Sequence, residues 1–313
     1  MKLGYIGLGK MGMNMVLRLH EKKQDVIAYN RSPEPRLEGK KAGLRVADSY
    51  EALLAELPTP RTVWVMVPNN VVDSVISEFI GFLEKGDTII DGGNSFYKDS
   101  MRRAKDLASK EIHFLDIGTS GGPKGAREGA CLMIGGEEEV FKKHEDLFKD
   151  IAAPEAYAYL GKAGAGHFTK MVHNGIEYGM MQSLAEGFAI LEKSEFDLDL
   201  LKVTEIYNHH SVIESRLVGW LSDAYRKFGK NLAEVSGTVS HTGEGEWTVN
   251  AGKELGIPAK VIEDSFKFRV ESGTTPSYIG KILSALRNQF GGHSIENPSS
   301  TAKLTTGQVK NNH

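Results

Sequence analysis

"KLGYIGLGKMGMNMVLRLHE", residues 2–21, runs apolar as far as Ile6, breaks at Gly7-Leu8-Gly9-Lys10-Met11-Gly12, and resumes with helical spacing. A GxGxxG carries little information alone. Placed between a strand and the start of a helix it has a physical reason: glycines tighten the turn and let a pyrophosphate approach the helix N-terminus. The stretch therefore predicts the first βα turn of a dinucleotide-binding domain, with Gly7, Leu8, Gly9, Met11 and Gly12 as candidate cofactor contacts.

Outward from this turn, "DVIAYN", "TVWVMVP", "DTIIDGG", "IHFLDIG" and "ACLMIGG" alternate with amphipathic stretches. That rhythm predicts βαβ units and a mostly parallel, doubly wound, Rossmann-type α/β sheet. From Gly164 onward the periodicity becomes helical, over 166–192, 198–229, 244–255, 258–271 and 276–290. The expected organisation is a dinucleotide-binding domain over 1–163, an all-α substrate and dimerisation domain over 164–293, and a polar tail over 294–313. The tail reads as mobile or as an extension that wraps a partner.

Composition narrows the function classes. The 313 residues carry a formal net charge of -3, with 40% apolar and 25% charged residues, which gives no general attraction to nucleic acid or to anionic membrane. An anionic ligand must be held by local cations. No apolar run reaches the roughly 18 residues of a membrane span, and the N-terminus reads as structure rather than as a signal peptide. Cys131, the single cysteine, excludes an internal disulfide and reads as a small packed hydrophobe in a buried strand. A cytoplasmic protein is expected.

The second strand ends in Asn30-Arg31-Ser32, where a ribose-binding carboxylate would favour NAD. These residues suit an anionic 2′-phosphate instead, so NADP is favoured over NAD. The loops after the fourth and fifth strands, "VMVPNN" (65–70) and "DGGNS" (91–95), lie at the carboxyl edge of the sheet. Val67, Pro68 and Asn94 are candidates for the nicotinamide half of the cofactor.

"GHFTKMVHNGIEYGMMQ", 166–182, places Lys170, His173, Asn174 and Glu177 on one helix face, with Lys170 and Glu177 about 10.5 Å apart. Gly164, Gly166, Gly175 and Gly179 cost helix propensity that a solvated face has no reason to give up, which implies close backbone approach. "GTSGGPKGAREG", 118–129, reads as a glycine-rich loop able to offer amides to a carboxylate, with Ser120 adding a hydroxyl. His209 and His210 are adjacent, about 100° apart on a helix, and lack a carboxylate at metal-ligand spacing, so no metal is expected.

The motifs "GLGKMGMN", "NRS", "DGGNS", "SGGPKGAREG", "KMVHNGIEYG", "GEGEWT" and "LRNQFGGH" occur in an order that closely resembles the 6-phosphogluconate dehydrogenases, decarboxylating members of the β-hydroxyacid dehydrogenase superfamily. The resemblance runs from Met1 to about Glu296 and is most specific in "KMVHNGIEYG". The chain looks like the short form, with one helical domain rather than a duplicated one. The resemblance implies that Ser120, Gly121, Gly122, His173 and Asn174 contact the carboxylate and hydroxyl end of a phosphosugar acid. Asn94 joins the substrate contacts, and Asn174 belongs with the catalytic group. Lys170 matches the general base and Glu177 the general acid. Tyr178, Arg269, Arg287 and His293 match phosphate-holding positions, the last two reaching in from the second subunit of a homodimer. Where long-form members read KGTGKWT, this chain has Thr242, Glu244 and Glu246, which removes a phosphate-binding lysine. Competing expectations are a dehydrogenase acting on a sugar acid such as gluconate, and a catalytically silent dinucleotide sensor.

Overall fold

The computed structural model describes residues 1–296; most of the expected 294–313 tail lies outside the described residues. Contacts divide the chain into two compact units. The first comprises Met1–Ile176 and Glu244–Pro258, the second Glu177–Gly243 and the residues from Ala259 onward.

The first unit holds strands β1 (Lys2–Ile6), β2 (Asp25–Tyr29), β3 (Arg45–Val46), β4 (Thr62–Val65), β5 (Thr88–Asp91), β6 (His113–Ser120), β7 (Ala130–Gly136) and β8 (Ala152–Gly161). Its helices are α1 (Lys10–Glu21), α2 (Pro33–Lys41), α3 (Tyr50–Ala55), α4 (Val72–Phe79), α5 (Tyr97–Ala108), α6 (Gly122–Glu128), α7 (Glu138–Lys143) and α8 (Glu145–Ile151). One sheet results, in the order β3-β2-β1-β4-β5-β6-β7-β8, with only β6 and β7 antiparallel. Chain order reverses between β1 and β4, which opens a ligand crevice at their carboxyl ends. Successive side chains feed two cores: Leu3, Tyr5, Trp64, Ile90, Leu115 and Ile117 pack in one cluster, while Ile6, Val63, Val65, Ile89 and Phe114 pack in another. A sheet buried on both faces needs strands rich in apolar residues, and the sequence shows apolar runs in β1, β2, β4 and β7, while Asp116 interrupts β6 and Asp91 ends β5.

Helix α9 (Ala165–Lys193) follows without interruption and belongs to both units. The second unit adds α10 (Leu200–Tyr207) and α11 (Arg216–Phe228); α12 (Glu244–Glu254) returns to the first unit, and α13 (Lys260–Glu271) and α14 (Tyr278–Gly291) complete the second. Within it, Met181, Phe188, Leu221, Tyr225, Ile282 and Leu286 belong to a separate apolar core.

Three expectations are corrected. The glycine-rich stretch 118–129 is not a continuous loop: residues 118–120 end β6 and Gly122–Glu128 form α6. Gly121 (φ +124°) and Gly129 (φ +139°) flank α6, in whose first turn Pro123 is pre-set for the helix. The periodic segment 198–229 is two helices, because Ser215 caps α11 by accepting from the Val218 amide at 3.2 Å, while Asn208 ends α10. Cys131 lies in a strand but is exposed, since β7 alternates there and turns it outward opposite Ser120.

Candidate active site

At the cofactor end the glycines have separate tasks. Gly7 sits at φ +106°, and a β-carbon there would lie 2.2 Å from the Met66 carbonyl oxygen. At Gly12 it would lie 1.9 Å from the Gly7 carbonyl oxygen, whereas Gly9 faces open space. The turn is thus held tight from behind and bare in front, the cradle a pyrophosphate needs at the N-terminus of α1. Asn30 accepts from the Leu8 amide at 2.9 Å and donates to the Ser32 carbonyl at 3.2 Å, tying the end of β2 to the glycine turn. Arg31 and Ser32 are exposed, and Met11 is half-buried. Val67 stands beside Gly7, and a β-carbon on Gly93 would come within 2.8 Å of the Val67 carbonyl oxygen, so the turns after β1, β4 and β5 converge. Pro68 and Asn94 lie on these turns and are exposed. These residues fit a dinucleotide.

The α9 glycines explain the second cluster. A β-carbon on Gly166 would fall 2.3 Å from the Asp116 carbonyl oxygen, so only glycine lets this turn of α9 lie against β6. Asp116, fully buried on β6, accepts from the amides of Gly164 at 2.7 Å and His167 at 2.8 Å and so caps the helix start. A carboxylate in the middle of "HFLDIG" was the available signal for this cap.

Lys170 is held one turn further on. Its Nζ donates to Asn174 Oδ1 at 2.7 Å and lies 3.3 Å from His173 Nδ1. His173 Nδ1 is 3.0 Å from Asn174 Oδ1, and its Nε2 is 3.3 Å from Ser120 Oγ. With the proton on Nδ1, His173 donates to Asn174 and accepts from Ser120, so both ring nitrogens are used. Gly121 and Gly122 lead from Ser120 into α6. Residues from β6 and from α9, 53 positions apart for Ser120 and His173, are thereby brought together. Glu244, one of the acidic residues where this chain departs from KGTGKWT, is buried and accepts from the side-chain amides of both Asn94 and Asn174.

Glu177 lies half-buried on α9, seven residues beyond Lys170. In the second unit Arg269 is 3% exposed and its guanidinium stacks 3.3 Å from the centre of the Tyr178 ring, a cation–π contact. Arg287 is buried and donates to Ser240 Oγ at 2.6 Å. The His293 carbonyl accepts from Asn288 at 2.7 Å just beyond α14. Among the described residues no group of three or more His, Cys, Asp or Glu could hold a metal ion, and no helix is long and apolar enough to cross a membrane.

Comparison with known proteins matches the chain in two consecutive parts. Residues 2–161 match the family model for the NAD binding domain of 6-phosphogluconate dehydrogenase, and residues 166–279 match that for its C-terminal domain. The chain is 45% identical over 296 residues to the putative 6-phosphogluconate dehydrogenase YqeC of Bacillus subtilis, covering 95% of this chain and 99% of that one. It is 36% identical over 297 residues to the NAD(+)-dependent, decarboxylating 6-phosphogluconate dehydrogenase of Haloferax volcanii, covering 94% and 98%. The structure of Plasmodium falciparum 6-phosphogluconate dehydrogenase superposes with a TM-score of 0.77 at 30% identity, over 87% of this chain and 62% of that longer one. With both of its parts matched and relatives aligned nearly end to end, the chain belongs to the 6-phosphogluconate dehydrogenase family of oxidoreductases.

Proposed function

We propose that the protein oxidises 6-phospho-D-gluconate at C3 and decarboxylates the product to D-ribulose 5-phosphate and CO2, with NADP as the hydride acceptor. The observation that carries this reading is Lys170, whose amine is fixed by Asn174 and set beside His173 and Ser120. Lys170 takes the C3 hydroxyl proton as hydride leaves for the nicotinamide, and the β-keto acid so formed loses CO2 most readily when a donor stabilises charge on the ketone oxygen. The protonated Lys170 is that donor. Ser120 and the amides at Gly121 and Gly122 orient the substrate carboxylate, and Asn94 its hydroxyl end. Glu177, further along the same continuous helix, returns a proton to C1 of the enediol, while Tyr178, Arg269, Arg287 and His293 hold the phosphate.

Gly7, Leu8, Gly9, Met11 and Gly12 would hold the pyrophosphate, and Val67, Pro68 and Asn94 the nicotinamide side. NADP is favoured by Arg31 and Ser32 at the end of β2; the Haloferax relative, whose name specifies NAD(+), supports NAD as the second reading. The test is turnover with 6-phosphogluconate or gluconate, each with NADP or NAD, following reduced cofactor and CO2. Reduced cofactor without CO2 would replace this reading with that of a non-decarboxylating hydroxyacid dehydrogenase. Hydride transfer in neither direction, with cofactor bound, would favour a sensor. The proposal extends to a homodimer whose partner supplies Arg287 and His293. Mixing Lys170→Ala and Arg287→Ala chains under subunit exchange should restore part of the activity, and a dead mixture removes the shared site.

A further inference from the structure

We propose that Glu244 is a positioning residue: it fixes the side-chain amides of Asn174 and Asn94 and, through Asn174, the amine of Lys170. The inference rests on the reading of Lys170 as the base.

Glu244 opens α12, which returns to the sheet-bearing unit after the chain has passed through the second one. Close packing holds α12 against the first turns of α9. A β-carbon on Gly175 would lie 2.5 Å from Thr248 Cγ2, so glycine is what admits this approach. Thr248 Oγ1 stands 2.8 Å from both the Met171 and Glu244 carbonyl oxygens, and the Trp247 ring packs 5.2 Å from that of Phe96, two residues after Asn94. At the far end of α12, Glu254 pairs with Lys98 at 2.7 Å. The first turn of α12 is thereby pinned between α9 and the turn after β5.

The Glu244 side chain is 5% exposed. A carboxyl group taken out of water is costly unless hydrogen bonds replace its hydration. Glu244 Oε1 receives the Asn94 amide and, at 3.4 Å, the Asn174 amide. The N-terminus of α12 favours negative charge at the same place. An ionised carboxylate only accepts, so each asparagine must turn its NH2 toward Glu244 and its oxygen away. For Asn174 that orientation places Oδ1 2.7 Å from Lys170 Nζ. With its amide reversed, Asn174 would aim its NH2 at the Lys170 amine, facing donor with donor when the amine is protonated and occupying the lone pair that takes the substrate proton when it is neutral. The contact would be lost and the base released from its aim.

The experiment uses the full chain, with 6-phosphogluconate and NADP as the probe pair. Glu244→Asp keeps a carboxylate at the helix start but is one methylene too short to span both amides. It should lower kcat roughly 10- to 100-fold, leave the melting temperature nearly unchanged, raise KM for NADP by far less than it lowers kcat, through the loosened Asn94, and lose most of its kcat effect in an Asn174→Ala background. Glu244→Gln, nearly isosteric, should show the same kcat-dominated loss to a smaller extent, and it decides the matter if the Asp variant folds poorly. Wild-type kcat in both variants, with Lys170→Ala inactive, overturns the role of Glu244 and leaves the base standing. An undiminished Glu244→Asp loss in the Asn174→Ala background also overturns it. Near-normal turnover by Lys170→Ala, or none by the unmodified protein, overturns the underlying reading instead.

Discussion

Gly118 stands where a β-carbon would lie 2.3 Å from Cβ of Lys170 and 2.9 Å from the Gly166 carbonyl oxygen. The end of β6 and the face of α9 that carries the proposed base meet with no room for a methyl group. Gly118→Ala must push one of them aside, because the obstructing atoms are backbone and the stiff root of a side chain. Overpacking of this kind costs about 1–3 kcal/mol, and here the strain falls on Lys170. Turnover should drop roughly 100-fold, the order of loss for a displacement of about 1 Å. Dinucleotide binding, which depends on the turn at Gly7 to Gly12, should change by less than about threefold in a fluorescence titration. Equal losses of both would show that the glycine serves the whole sheet rather than the α9 contact.

Glu177→Gln keeps the shape of the side chain and removes its acidic proton. If Glu177 protonates the enediol, release of ribulose 5-phosphate should slow by roughly 10²- to 10⁴-fold, while substrate binding persists. Solvent deuterium incorporation at C1 separates this step from hydride transfer. Unchanged turnover at saturating substrate, with chemistry rate-limiting, sinks the assignment.

Cofactor choice turns on two exposed side chains. Arg31→Asp with Ser32→Ala puts a ribose acceptor where a phosphate partner stood, and should move the ratio of kcat/KM values from NADP toward NAD by at least about tenfold. Asn30 is left intact because it bridges Leu8 and Ser32. A wild-type protein that already prefers NAD would reverse the reading of Asn30-Arg31-Ser32.

Much of the sheet is legible in the sequence because strands buried on both faces are rich in consecutive apolar residues, as Val63, Trp64 and Val65 of β4 are. Strand β8, "AAPEAYAYLG", escapes that test: it lies at the edge, is buried only at Ala152, and carries Pro154 and a left-handed Glu155 (φ +60°). The spacing of Lys170, His173 and Asn174 is equally legible, since i, i+3 and i, i+4 neighbours meet on any helix. Partners that depend on topology are not. Ser120 reaches His173 only because β6 ends beside α9, and Glu244 reaches Asn94 across 150 positions only after α12 has returned to the first unit. Local pattern contains no trace of either meeting. The glycines of α9 announced close approach without naming the neighbour; Asp116, Thr248 and, for Gly179, Val261 turn out to fill that role.

His144 makes stability depend on pH at a distance from the proposed chemistry. The ring is fully buried between α7 and α8, with Nδ1 2.8 Å from the Val140 carbonyl oxygen and Nε2 2.9 Å from Thr62 Oγ1 on β4. A carbonyl only accepts, so Nδ1 carries the proton, Nε2 is the acceptor, and the Thr62 hydroxyl donates to it. Burial holds the imidazole below its ordinary value near 6.5; Lys143 and His113 add to the effect, and the bond to Val140 opposes it. The folded chain therefore takes up this proton at lower pH than the unfolded chain. The stability associated with neutral His144 is fully present above the unfolded value and is lost as pH falls from about 6.5 toward the folded value. Across that window one proton changes unfolding free energy by up to about 1.4 kcal/mol per pH unit. His144→Gln does not titrate, so it should lower stability at pH 7.5 yet flatten the dependence between pH 6.5 and 5 by up to that slope, as read from urea unfolding at each pH. Parallel curves for the two proteins would show that His144 is already charged in the fold, or that carboxylates elsewhere carry the whole acid response.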